Sequence, residues 1–171
     1  NFEFGWKYDF ERGRLNGAVF FNQIQDLQAD VNFPDPVSAV VQVIKNTADA
    51  EILGAELDGV FSLANNFVVT ASIGVIDAKY TKVLYDLNGD GVIDDADLNL
   101  NLKRAPDLTY SVGFNWDVDL GTWGYMVARA SYAHRDETAW SEDNRAYVPE
   151  QDIVDAGLSF NTNDDRWVLA L

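Results

Sequence analysis

The sequence predicts an all-β protein: an antiparallel, up-and-down transmembrane β-barrel segment of about eight strands. Three features lead there. Apolar and polar residues alternate one by one through runs such as 2–10 and 107–119, the mark of a strand with one greasy and one wet face. Successive hairpins have short turns at one end and long connections at the other. Aromatic residues stand beside the short turns, where a membrane–water boundary collects them.

The elements follow in order. Phe2, Phe4, Trp6, Tyr8 and Phe10 share one side of the first run, and Glu3, Gly5, Lys7 and Asp9 the other. A polar turn at 11–14 returns the chain into "LNGAVFFNQIQDLQ", a second strand whose facing the sequence leaves open. "VNFPDPVSA" then interrupts the pattern with two prolines and predicts a long loop over 33–46, since proline cannot donate to a ladder. In the third strand Leu53, Ala55, Leu57, Gly59 and Phe61 oppose Gly54, Glu56 and Asp58. The tight turn 64–66 leads to a fourth strand with Phe67, Val69, Ala71, Ile73 and Val75 outward.

A long connection over 84–106 precedes the cleanest alternation. There Leu108, Tyr110, Val112, Phe114, Trp116 and Val118 oppose Thr109, Ser111, Asn115 and Asp117. "GTW" (121–123) turns into a strand where Met126, Ala128, Ala130 and Tyr132 oppose Val127, Arg129, Ser131 and Arg135. A polar loop over 137–151, "DIVDAGLSF", the turn "NTNDD" and "RWVLAL" complete the pass. Phe10, Phe67, Trp123 and Trp167 are the aromatics beside short turns.

Composition narrows the function classes. The 171 residues suit one domain and carry 28 acidic against 12 basic side chains, a net charge of −16. That balance excludes nucleic acid as a partner, because phosphate binding needs a basic footprint. The absence of cysteine removes disulfides, thiolate metal sites and a Cys nucleophile. Ten Phe, seven Tyr and five Trp are too many aromatics for a disordered chain. No run reaches the ~18 apolar residues of a membrane-spanning helix. The opening "NFEFGWKYDF" lies in mid-pattern and the closing "RWVLAL" reads as a strand cut short, so a fragment is expected.

A soluble β-sandwich alternates too, but the long strands and the aromatic borders favour lipid. Glu56, Asp58, Asp117 and Arg129 on the polar face would be costly in a dry core. They predict a wet lumen, lined by ion pairs that also involve Arg135. His134, the one histidine, reads as a rim residue. No Ser–His–Asp arrangement, nucleotide loop or catalytic carboxylate pair is present, and the chain is read as no enzyme.

"NTADAEILGAELDGVFSLANNFVVTASIGVIDAKYT" resembles a late-barrel segment of TonB-dependent receptors, through Asn46, Ala48, Ala50, Gly54, Glu56, Asp58, Asp77, Ala78 and Tyr80. "NFEFGWKYDFERGRLNGAVFFNQIQDLQ" is similar to the preceding hairpin, and "APDLTYSVGFNWD" and "YVPEQDIVDAGLSF" to following strands. The resemblance implies that 1–171 is the C-terminal portion of a barrel of about 22 strands. It implies an outer-membrane location and import of a bulky scarce nutrient (ferric siderophore, haem, cobalamin or glycan). The implied partners are TonB, acting through a plug region outside this chain, outer-membrane lipid, and a small-molecule or oligosaccharide ligand.

One stretch stands outside that pattern. "DLNGDGVIDDADL" (86–98) has the order of a calcium loop. Asp86, Asn88 and Asp90 take positions one, three and five, with Gly91 at six. Val92 offers its carbonyl at seven, Asp94 acts through water at nine and Asp97 closes at twelve. Hard oxygen donors at this spacing suit Ca2+. An acidic loop rich in turn formers is the plainer reading. Asp in place of Glu at twelve and a strand-like approach are departures, while "DADLNLNLK" allows a short exiting helix. The metal is expected to staple an insertion (86–97) on the barrel's outer face. Two other architectures remain open: a self-contained eight-stranded outer-membrane barrel with a structural or adhesive role, and a secreted calcium-dependent β-sandwich binding module.

Overall fold

The computed structural model describes residues 1–35, 37, 39–164 and 166–171, with side-chain surroundings for 1–29, 37, 43–164 and 166–171. The strands are β1 (Phe2–Phe10), β2 (Gly13–Asp35), β3 (Ala39–Ala64), β4 (Phe67–Val83), β5 (Leu108–Asp119), β6 (Tyr125–Arg135), β7 (Thr138–Ala139), β8 (Tyr147–Val148), β9 (Gln151–Asn161) and β10 (Val168–Ala170), with one short helix, α1 (Asp95–Leu98). Eight of the strands make a single meander, β1-β2-β3-β4-β5-β6-β9-β10. Every neighbouring pair in it is antiparallel. The pair β7–β8 stands apart, inside the connection between β6 and β9.

Register settles the facing of every strand. Phe2, Phe4, Trp6 and Tyr8 lie opposite Phe21, Val19, Gly17 and Leu15 of β2. Those in turn meet Leu53, Ala55, Leu57 and Gly59 of β3. The second strand therefore shows Leu15, Val19 and Phe21 on the aromatic face and Arg14, Asn16 and Phe20 on the other. The same face continues through Ile73, Tyr110 and His134, and through Val69, Phe114 and Ala130. From the short turns up to Leu53 one face of the sheet is thus aromatic and aliphatic and the opposite face carries the charges; towards the long connections the first face also takes Glu51, Asp77, Lys79 and Asp152.

Apolar side chains on the aromatic face are open to the surroundings: Phe2 is 74% exposed and Val154 73%. A face this greasy and this large belongs in lipid or against a partner. Its run from Leu53 to Phe61 spans about 26 Å at ~3.3 Å per residue and roughly 20 Å in height at a ~40° tilt. That is close to the ~25 Å apolar band of an outer-membrane barrel. At the short-turn end Phe10 meets Phe61 at 5.9 Å between ring centroids, and Phe67 meets Phe114 at 5.6 Å and Trp116 at 6.4 Å. This is the predicted aromatic border. The β5–β6 turn there depends on Gly124, at φ +135°, where an added Cβ would lie 1.9 Å from the Asn161 carbonyl oxygen.

Two expectations change. The loop predicted over 33–46 is instead β-hairpin: β2 runs to Asp35 and β3 restarts at Ala39, with Pro34 opposite Val40. Pro34 stands next to the end of β2 at Asp35, so the ladder loses a donor only near its tip. Nor do the eight strands close on themselves: among the described residues β1 and β10 are the two ends of the sheet. A self-contained eight-stranded barrel and a two-sheet sandwich both disagree with that arrangement.

Among the described residues the buried apolar side chains are Ala29, Ala48, Ala50, Tyr80, Leu87, Leu102 and Ala139. All of them stand at the long-connection end. The sheet has no core of its own where it is most regular.

Candidate functional site

The long connections fold into a cap at that end. Leu87 and Leu102 pack with Ala48, Ala50 and Tyr80, and Ile52, Ala78, Val83, Leu98, Leu100 and Ala105 pack around them. Ala48, Ala50 and Ile52 alternate in phase with Glu56 and Asp58 along β3. The insertion therefore folds over the charged face of the sheet at its long-connection end. Alternation brings this about: Leu98, Leu100 and Leu102 are spaced like a strand, and Asn101 makes an isolated antiparallel bridge to Lys79 of β4.

Asp97 ties the insertion together. Its carboxylate is fully buried. Oδ1 accepts from the Leu87 N–H at 2.8 Å and the Asn88 N–H at 3.0 Å, and Oδ2 from the Asp94 N–H at 3.1 Å. Asp94 in turn caps α1, accepting from the Ala96 N–H at 2.8 Å. This reciprocal cap satisfies amides that a helix start leaves open.

The calcium-loop positions come out as follows. Asp86 accepts from the N–H groups of Gly89 and Gly91, each at 2.7 Å. Asn88 accepts from Asp90 N–H and Asp90 from Val92 N–H, both at 2.8 Å. Gly91, at position six, has φ +94°, the left-handed turn for which glycine is suited. Asp95–Leu98 supplies the exiting helix. The order of oxygen donors and the turn at Gly91 are those of a loop for a hard cation. The carboxylates themselves fold onto the loop's own amides, and among the described residues no three Asp, Glu or His groups converge as a metal cluster.

The connection 136–150 is laced to this insertion. The Asn144 amide, at φ +53°, accepts from the Asn101 N–H at 2.7 Å and donates to the Asn101 carbonyl at 2.9 Å. Arg145 Nη2 donates to the Asn88 carbonyl at 2.8 Å, Lys103 pairs with Glu142 at 2.6 Å, and the Arg104 guanidinium lies 4.8 Å from the Trp140 ring centroid. The Ser141 hydroxyl, followed by Arg145, holds the Asp143 carboxyl below its usual range. Between the two connections lies a cavity of about 610 Å3, lined by Thr47, Tyr85, Asp86, Lys103, Glu142 and Arg145 among others.

At the foot of the same connection, His134 sits between two carboxylates. Nδ1 is 2.7 Å from Asp152 Oδ1 and Nε2 is 2.9 Å from Asp136 Oδ1. Tyr132 donates to the same Asp152 oxygen at 2.6 Å, and the Tyr110 ring stacks on the imidazole at 4.8 Å. From sequence His134 reads as a rim residue without these partners, because Tyr110 and Asp152 come from other strands.

Glu56, Asp58, Asp117 and Arg129 all alternate onto the charged face, but the expected ion pairs among them are absent from the described residues. Register is the reason. Asp58 lies opposite Asn16 and Ser72, and Arg129 opposite Asn115 and Gly157. Asp58 accepts from Asn16 Nδ2 at 2.8 Å. Arg129 lies along Gly157, where a Cβ would meet its Nε at 2.7 Å. Arg135 faces Thr109 and Gln151, and Asp117 faces Val127. No opposite charge stands directly across from any of them.

The family profile described as "TonB dependent receptor-like, beta-barrel" matches residues 1–171. The chain belongs to the TonB-dependent receptor family. This is a family of transport receptors, not enzymes, whose barrels reside in the outer membrane of Gram-negative bacteria. Solved receptors share the fold. The ferric yersiniabactin uptake receptor FyuA from Yersinia pestis superposes with a TM-score of 0.74 at 17% identity, over 95% of this chain and 22% of that one. The siderophore receptor PiuA from Acinetobacter baumannii gives 0.71 at 18% identity, over 94% and 22%. BauA, the ferric preacinetobactin receptor from Acinetobacter baumannii, gives 0.68 at 15%, over 95% and 22%. The chain thus spans about a fifth of the length of these TonB-dependent receptors. No curated protein sequence matches it significantly.

Proposed function

We propose that the chain forms barrel wall and external connections of an outer-membrane receptor importing a ferric siderophore in a TonB-coupled cycle. The observation that carries this reading is the eight-stranded meander, aromatic on one face and charged on the other, within a family match along the whole length. The three solved receptors are receptors for siderophores or their ferric complexes, which supports that cargo over haem, cobalamin or glycan. In this reading the aromatic face meets lipid. Glu56, Asp58, Asp117 and Arg129 line a hydrated lumen against a plug outside this chain. No covalent step is required: transport is differential binding followed by a partner-driven switch.

The test is uptake of radioactive iron by Gram-negative cells stripped of their own siderophore receptors and given the full-length receptor. Uptake from at least one ferric siderophore, lost when TonB is deleted, is expected. Transport of only haem, cobalamin or glycan would overturn the cargo, and TonB-independent uptake would overturn the coupling.

The reading includes Ca2+ on the insertion, held by Asp86, Asn88, Asp90, the Val92 carbonyl and Asp97. Donor order and the left-handed Gly91 support it. Calorimetric titration of the full-length receptor is expected to show one saturable calcium site, abolished by Asp86→Asn with Asp90→Asn. A silent titration would remove the metal while leaving the transport reading intact.

A further inference from the structure

We propose that His134 is a pH-sensitive clasp that holds both feet of the connection 136–150, closed when the imidazole is protonated and released when it is neutral. The geometry requires the proton. A neutral imidazole has one N–H and one lone pair, and an ionised carboxylate only accepts. Here both ring nitrogens point at aspartate oxygens, Nδ1 at Asp152 and Nε2 at Asp136, at 2.7 and 2.9 Å. Only the doubly protonated ring donates to both. A neutral ring would aim a lone pair at one carboxylate and lose that contact.

The partners make this a clasp on a loop. Asp136 directly follows β6, and Asp152 lies at the start of β9, so the ring bridges the points where the connection leaves the sheet and rejoins it. Asp136 is also anchored through its N–H to the Leu108 carbonyl at 3.0 Å. The titratable groups facing the ring are Tyr110 from β5, Tyr132 from β6, Asp136 from the connection and Asp152 from β9. The imidazole is mostly covered, its side chain 13% exposed, while Asp136 and Asp152 are 35% and 54% exposed, so water reaches the carboxylates more readily than the ring. The β6–β9 ladder, with Arg135 opposite Gln151, stays paired in either state, so the loss of one side-chain contact would loosen the connection beyond it, including Asn144 and Arg145 that lace it to the insertion. The sign is fixed: the clasp operates at low pH and is lost as pH rises through the histidine titration, whose ordinary midpoint is about 6.5.

Hydrogen exchange on the full-length receptor in detergent tests this, between about pH 5.5 and about pH 9, each rate divided by its unstructured-peptide rate. Protection of 137–150 is expected to fall several-fold across that range in the wild type, while protection of β5 and β9 stays constant. His134→Gln, whose donors sit on a single nitrogen and which does not titrate, should remove the pH response. Asp136→Asn should remove it in the other direction, keeping the connection protected at high pH because the introduced amide can donate to a neutral ring. It also serves where the histidine variant fails to assemble. A pH-independent wild type, or a response that survives Asp136→Asn, would overturn the proposal.

Discussion

The regular sheet and the cap at its long-connection end are stabilised by opposite means. Between Leu53 and Phe61 the sheet has side chains on both faces and no interior, so its apolar residues count only if the surroundings are apolar too. The cap buries Leu87, Leu102 and Tyr80 against Ala48 and Ala50 and would bury them in water as well. The same chain therefore depends on two solvents. A substitution should reveal which one its site answers to.

The largest effect is expected in the cap. Leu102→Ala removes a buried side chain from a tightly packed cluster and should cost about 2–5 kcal/mol of cap stability. Exchange or limited proteolysis of 84–106 would register it, while the heat stability of the barrel stays unchanged. Barrel loss instead of cap loss would break the distinction between the two regions.

Next comes the middle of the aromatic face. Leu57→Arg should destabilise by about 2–4 kcal/mol in a bilayer, the range for a cation at the lipid midplane. Glu56→Gln, one residue away on the charged face, should stay near zero. Denaturant unfolding from vesicles would measure both. Equal effects would mean that the two faces do not meet different media.

A smaller and more local effect is expected at Asp97. Replacement by Ala strands the amides of Leu87, Asn88 and Asp94 in a buried site, at about 1–3 kcal/mol. Faster exchange of those amides, with β1–β3 unaffected, is the expected readout. Asp143 sharpens the comparison least. Its lowered pKa means its contacts with Ser141 and Arg145 add stability above the ordinary carboxylate pKa and lose it as pH falls through the depressed value. Amide shifts of 141–145 would follow that acid transition.

How far the sequence carried differs between the same two regions. Period two fixes facing residue by residue, so the strands around Phe2, Leu57, Val112 and Ala128 were legible, and with them the positions of Glu56, Asp58, Asp117 and Arg129. The segment 33–46 reads as a loop because two prolines outweigh alternation locally, whereas the pairing of β2 with β3 there is a property of the neighbour. The pairing of the residues on the charged face was misread for a related reason: sign along one strand says nothing about what lies across. In the cap, "DLNGDGVIDDADL" announced its turns and its helix. Its leucines did not announce that they dock on Ala48, Ala50 and Tyr80, nor did Asp136 and Asp152 signal a shared imidazole. Those contacts join segments far apart in the chain.

The platform under the cap also sets an order of events. Ala48 and Ala50 come into place beside Tyr80 only once β3 and β4 have zipped. Leu102 must wait for that surface, since its partners come from both strands. A newly made chain should therefore pass through a stage with hairpins paired and the insertion still dangling. That interval is when a protease would find 84–106 within reach.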